Sequence, residues 1–388
     1  MISLLVINAH AHEAHTHNAS TKLAISIAID AQGNLWRASV DDGFIFVDKS
    51  LDNGKTFGDK VKVNKTQQNI AAKDEARPKI AIGPQGHVYL TWTQGLAKPF
   101  TGYIWFSRSI DGGKSFEQPK IVHQDRAEIT HRFDALNVSP NGKITVTWVD
   151  KRDLEVAKAS GKNYTGAAIY YAISTDNGAS FMQEKKLADS SCECCRIAMT
   201  TKPDGTVVAL WRHVFVGGER DHMIAEIPAL DKKANLKRAT FGHWKIDGCP
   251  HHGAAIASGG EGADWWGYHM AYFDGKDKNP GLYYSRMDGV AWVGTSAKQF
   301  GNHAKQARHP GILAMGEQVW LAWLETHEKN DKKVMTMHSN DGGKTWSDTI
   351  TAFNTNGQLD YPQLLKFKDK AFLVVNTSDG LAVKVLQP

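Results

Sequence analysis

The sequence predicts an all-β chain of repeated four-stranded sheets, a β-propeller of six or seven blades. Two repeats in one phase predict it. The first is the octapeptide Ser-x-Asp-x-Gly-x-Ser/Thr-aromatic, found at Ser50–Phe57, Ser109–Phe116, Ser174–Phe181 and Ser339–Trp346, with a degenerate copy at Ser285–Trp292. Its Asp can accept bonds from backbone N–H groups in a tight turn, its Gly supplies positive φ, and its aromatic residue anchors the next strand. The second is an apolar run that passes a Gly turn and ends on an aromatic residue: Ile80–Trp92, Leu136–Trp148, Met199–Trp211 and Ile312–Trp323. Ala24–Ser39, Ala254–Tyr272 and Leu364–Val375 fit more loosely, which gives seven inner strand pairs 52 to 64 residues apart, the size of a blade. Little chain follows Tyr361, so Ile2–Asn8 is expected to complete the last blade; if that segment is a cleaved signal, six blades become the nearer template.

Composition supports one domain over residues 20–388. Of the 388 residues, 41% are hydrophobic and 22% charged, enough apolar matter for a large core. The 46 basic and 41 acidic residues are spread thinly, which argues against a nucleic-acid partner. No apolar run approaches the roughly 18 residues of a membrane span, so no transmembrane segment is expected. Residues 1–19 read as a signal remnant and a His-rich tail. Met1–Ala11 is a short apolar stretch ending in Ala9-His10-Ala11, like the end of a secretory signal without its basic start, so a secreted or periplasmic location is expected.

In a propeller, the starts of the innermost strands and the ends of the second strands converge on one face, over the central channel. The repeat phase places Arg77, Arg132, Arg196, His252, His309 (after Arg308) and Tyr361 at inner starts. It places Asp41, Gln94, Asp150, His213, Asp274, Glu325 and Thr377 at second-strand ends. Arginine presents planar donors that match a carboxylate, sulfate or phosphate, so a small anionic ligand is the partner this funnel suggests. The alternative is that each arginine pairs with a nearby loop carboxylate and stabilises the rim.

The octapeptides resemble the Asp-box repeats of the sialidase superfamily. That resemblance implies a retaining exo-glycosidase acting on an acidic glycan and needing no cofactor. It further implies Arg77, Arg132 and Arg196 (or Arg308) as a carboxylate clamp, Tyr361 as nucleophile, Glu325 as its base, and Asp150 or Asp41 as acid/base. His309 and His213 would stand on the same ligand-binding face. The family's Phe/Tyr-Arg-Ile-Pro motif is absent; its nearest counterpart, Ala76-Arg77-Pro78-Lys79, follows the first octapeptide instead of preceding it.

The four cysteines lie in Cys192-Glu193-Cys194-Cys195-Arg196 and Asp247-Gly248-Cys249-Pro250-His251-His252. Each motif precedes an inner strand, and the two blades are neighbours, so Cys192, Cys194, Cys195, Cys249, His251 and His252 are expected to meet. They could hold copper or zinc as soft ligands, or Cys249 could form a disulfide with Cys192 or Cys194. Together with Trp244–Pro250, this pattern resembles a group of exported bacterial proteins called sialidase-like by fold. Three readings therefore stand: a glycan-binding or glycan-cleaving propeller, a periplasmic metal-site protein, and a non-catalytic binding scaffold.

Overall fold

The computed structural model describes residues 23–228, 232–248, 251–327 and 331–387. It contains seven antiparallel sheets, each a meander ordered as the chain runs. The innermost strands are Ser26–Ile29, Lys79–Ile82, His131–Val138, Ala198–Thr201, Ala255–Gly259, Arg308–Met315 and Gln363–Phe367. The second strands are Leu35–Asp41, Val88–Gly95, Ile144–Asp150, Val207–Arg212, Gly267–Asp274, Gln318–Thr326 and Lys370–Thr377. Each innermost strand packs on the next and the last packs on the first, closing a ring of seven blades. Six blades have four strands and blade 7 has three; Ile2–Asn8, expected to complete blade 7, lies outside the described residues.

The core is divided among the seams. Seven apolar clusters occur, one between each pair of neighbouring blades. Because each blade is covered on both faces, second strands such as Ile144–Asp150 and Val207–Arg212 are buried throughout instead of alternating. Their aromatic ends, Trp92, Trp148, Trp211 and Trp323, are the largest fully buried side chains. Between blades 7 and 1, where the apolar cluster is small, polar side chains complete the seam. Gln363 accepts from the Ile27 amide (2.9 Å) and donates to the Ile25 carbonyl (3.2 Å), while Asn376 donates to the Leu23 carbonyl (3.0 Å).

The four octapeptides fold alike. Asp111 accepts from the Ser115 amide (3.0 Å) and hydroxyl (2.6 Å), and Ser109 Oγ accepts from the Gly113 amide (2.8 Å); the same bonds recur around Asp52, Asp176 and Asp341. Gly113 has φ +83°, and a Cβ there would overlap the Trp36 ring of the preceding blade. The turns follow third strands, so they lie on the face opposite the second-strand ends.

Candidate functional site

The second-strand ends fall where the repeat phase expects them, and the residues before blades 2, 4, 5, 6 and 7 meet over the channel. Glu75, unremarked in the sequence, is at the centre. It is 4% exposed and accepts from the Gly253 amide (2.9 and 3.1 Å) and the Arg196 amide (3.1 Å). The Arg196 guanidinium stands 3.8 Å away and His309 Nδ1 3.5 Å away. Burial alone would raise the carboxyl pKa, but the charges of Arg196 and His309 and the amide donors outweigh it and hold the group at about 2. Gly253 has to be glycine, since a Cβ would overlap both Arg196 and Glu75.

Arg77 spends all five donors inside the protein: two on Asp360 (2.5 and 2.7 Å), one on the Ile25 carbonyl (2.9 Å) and two on the Asp74 carbonyl (2.8 and 2.6 Å). It is thus a rim arginine paired with a loop carboxylate, the alternative weighed above, and has no donor left for a ligand. Its guanidinium covers the Tyr361 ring at 3.7 Å, and that ring also stacks with His309 at 4.8 Å between centroids. Tyr361 Oη donates to the Asp74 carbonyl (2.6 Å), and burial raises its pKa despite Arg77 and Arg196 nearby.

Beside this cluster opens a cleft of about 370 Å³ lined by His252, Phe273, His303, Gln306, Ala307 and Arg308. His252 stacks on Phe273 (4.1 Å), and burial lowers its pKa to about 4, so the ring is neutral at pH 7. Half-buried Arg308 donates to the Gln306 carbonyl (3.1 Å) and Thr326 Oγ1 (3.0 Å) but, among the described residues, has no carboxylate within 4 Å. Lys79, also half-buried, donates to the Arg77 carbonyl (2.7 Å) and likewise has no such partner; burial lowers its pKa to about 8, against the pull of Asp134.

The expected ring of catalytic carboxylates serves another purpose. Asp150 accepts the Trp148 indole N–H (2.8 Å) and is clasped by Arg152; Glu325 accepts the Trp323 indole N–H (2.9 Å), the Asn302 amide (2.8 Å) and His327 (3.1 Å). Two residues beyond a buried Trp, a carboxylate satisfies the one polar atom of that side chain. Glu325 is therefore not placed as a base for Tyr361, and Glu75 is the glutamate that acts on that ring. Asp41 stands exposed at the rim of blade 1. Arg132 lies over Phe133 (5.0 Å) and Phe100 (5.8 Å), and His213 packs edge-on against Phe215 (4.6 Å), its pKa lowered by burial to about 4. Arg77, Arg196, His309 and Tyr361 meet in one cluster, whereas Asp41, Asp150 and Glu325 stand apart from it at second-strand ends.

No family model matches the chain, and no curated protein does. Solved structures do. A polysaccharide lyase, an ulvan lyase bound to -[GlcA(1-4)Rha3S]-, aligns with a TM-score of 0.58 at 13% identity, over 92% of this chain and 90% of its own. A Hadza microbial sialidase aligns at 0.50 and 14%, over 92% and 74%, and virginiamycin B lyase from Staphylococcus aureus at 0.53 and 12%, over 95% and 96%. The likeness is one of fold.

The cysteines divide differently from expectation. Cys192, Cys194 and Cys195 are buried together in the seam between blades 3 and 4, with Sγ separations of 3.7 Å (192–194) and 3.8 Å (192–195), too long for a disulfide within either pair. Cys249 lies outside the described residues. His251 is exposed, and His252 belongs to the cleft, so neither joins the thiols within 4.8 Å. The reason is local: Cys195 turns into the seam while the next residue, Arg196, turns to the channel.

Proposed function

We propose that this propeller binds an acidic sugar in the funnel, with Arg308 receiving the carboxylate or sulfate and the Phe273–His252 stack flooring the cleft. The observation that carries the reading is half-buried Arg308 on the cleft wall, with no carboxylate within 4 Å among the described residues, since desolvated charge is unfavourable until an anion supplies the balance. The fold neighbours lend support: one is a lyase bound to a glucuronate-containing oligosaccharide and one is a sialidase. Binding is favoured over glycosyl transfer to Tyr361, because its hydroxyl is already donated to the Asp74 carbonyl and, among the described residues, no carboxylate accepts it.

Calorimetric titration with a uronate oligosaccharide and its carboxyl-reduced counterpart tests this. Wild type should bind the acidic form alone. Arg308→Ala should weaken it by about 10- to 150-fold, the equivalent of one charge-assisted bond, and Arg308→Lys should restore little. Equal losses for the acidic and reduced sugars would overturn the reading.

A further inference from the structure

We infer that Arg212 is a specificity-determining residue of the funnel, a buried positive charge anchored on the His252 and Phe273 carbonyls that makes the cleft favour an anion over a neutral guest. The inference rests on the reading above for its class of ligand. Arg212 follows the buried Trp211 at the end of its strand, where Thr93, Val149 and Leu324 follow Trp92, Trp148 and Trp323; those three are uncharged. It is 2% exposed. One guanidinium nitrogen donates to the Arg220 carbonyl (2.6 Å), the other to the carbonyls of His252 (3.1 Å) and Phe273 (2.8 Å), so the side chain ties blade 4 to two segments of blade 5. The Trp244 ring lies 5.2 Å from it and meets the Phe273 ring edge-on at 5.6 Å. His252 and Phe273 are the stacked rings of the cleft. The charge is therefore bonded to the backbone of the two residues that a guest in the cleft would touch.

That charge has no counterpart nearby. Its acceptors are all neutral carbonyls, its Nε has no partner, and among the described residues no carboxylate lies within 4 Å. Asp274, the residue after Phe273, feels the guanidinium from farther off, but its carboxylate stands 3.9 Å from Lys276 and burial raises its pKa. On the cleft side, burial, then His309, then Arg212 lower the pKa of His252, so the field of the guanidinium reaches the cleft floor. A cation solvated only by carbonyls remains uncompensated, and it attracts an anion across the floor through protein instead of water. Arg308 can bond that anion directly; Arg212, shut off from solvent, acts by its field.

Full-length wild type, Arg212→Gln, Arg212→Met and Arg212→Lys should be titrated calorimetrically with inorganic sulfate and with the uronate oligosaccharide. The two neutral variants should bind both about 4- to 30-fold more weakly, the effect of one charge about 8 Å away at an effective dielectric constant near 20, with and without screening. Arg212→Lys keeps the charge and loses the fork, so it should stay within about 3-fold of wild type; a role confined to holding the two carbonyls would fail in Lys as in Gln. Melting transitions show which variants fold. If neither neutral variant does, wild-type crystals soaked in selenate decide: its selenium should stand in the cleft within about 8 Å of the Arg212 guanidinium, the reach of a charge at physiological ionic strength. Undiminished affinity in a folded neutral variant, a loss in Arg212→Lys as large as in Arg212→Gln, or selenate bound only beyond that distance would overturn the inference. Wild type that binds sulfate but not the uronate would end the sugar reading and leave Arg212 as the anion selector, whereas uronate binding with no loss in Arg212→Gln would do the reverse.

Discussion

Glu75→Gln removes the buried negative charge that faces Arg196 and His309 and leaves them facing a neutral amide. In the folded protein the carboxyl sits at about 2 against an ordinary 4.5, so its ionised form favours folding by about 3 kcal/mol at neutral pH. The group is almost fully buried, so little of this is lost to solvent screening. Its sign is that of a depressed acid: the contribution is complete above the unfolded-state value near 4.5 and fades as pH falls from there toward 2. At pH 3 about 2 of those 3 kcal/mol should already be gone. Chemical denaturation of wild type and variant at pH 6.5 and pH 3 isolates the effect, because every other carboxylate titrates in both proteins. The variant should be about 3 kcal/mol less stable at pH 6.5, within reach of what one broken buried pair costs, and only about 1 kcal/mol less stable at pH 3. A gap of equal size at both pH values would refute the account of Glu75 as a buried anion held by Arg196 and His309.

Two further expectations concern the ring. Arg77→Met strips Asp360 of its bidentate partner between blades 7, 1 and 2 and should cost about 3–5 kcal/mol; thermal unfolding showing a loss below about 1 kcal/mol would mean the pair does not hold the seam. Gly113→Ala combines a positive φ with overlap on Trp36 and should cost about 2–4 kcal/mol, whereas Gly112→Ala, with φ +73° but open space around it, should cost about 1; equal losses would remove the packing role assigned to Gly113.

Blade positions were legible because hairpin turns and buried aromatic ends recur in phase, and that phase places Asp150, Glu325 and Asp274 at second-strand ends. What those side chains do was not legible from position alone. Trp148-x-Asp150 and Trp323-x-Glu325 carry a readable signal, an acid two residues past a buried indole, and it points to hydrogen-bond satisfaction rather than catalysis. Glu75 carries no such signal, because it lies in a connection outside any repeat and its partners Arg196, Gly253 and His309 come from other blades. The charged run Asp150-Lys151-Arg152-Asp153 leads from the second strand of blade 3 into the helix Arg152–Ala159. Among the described residues the thiols of Cys192, Cys194 and Cys195 and the ring of His252 lie apart, since register fixes where a strand begins and not which way neighbouring side chains turn.

The meeting of Glu75, Arg196, His309 and Tyr361 gives the ring a stopper. Arg196 reaches from blade 4 to the Ala254 carbonyl (3.0 Å) of blade 5 and the Pro310 carbonyl (2.7 Å) of blade 6, and Tyr361 of blade 7 closes over Asp74. For the binding mode proposed above, a guest beside Arg308 would meet this cluster of side chains instead of an open axis, so the contacts it makes would be those of one face of the ring.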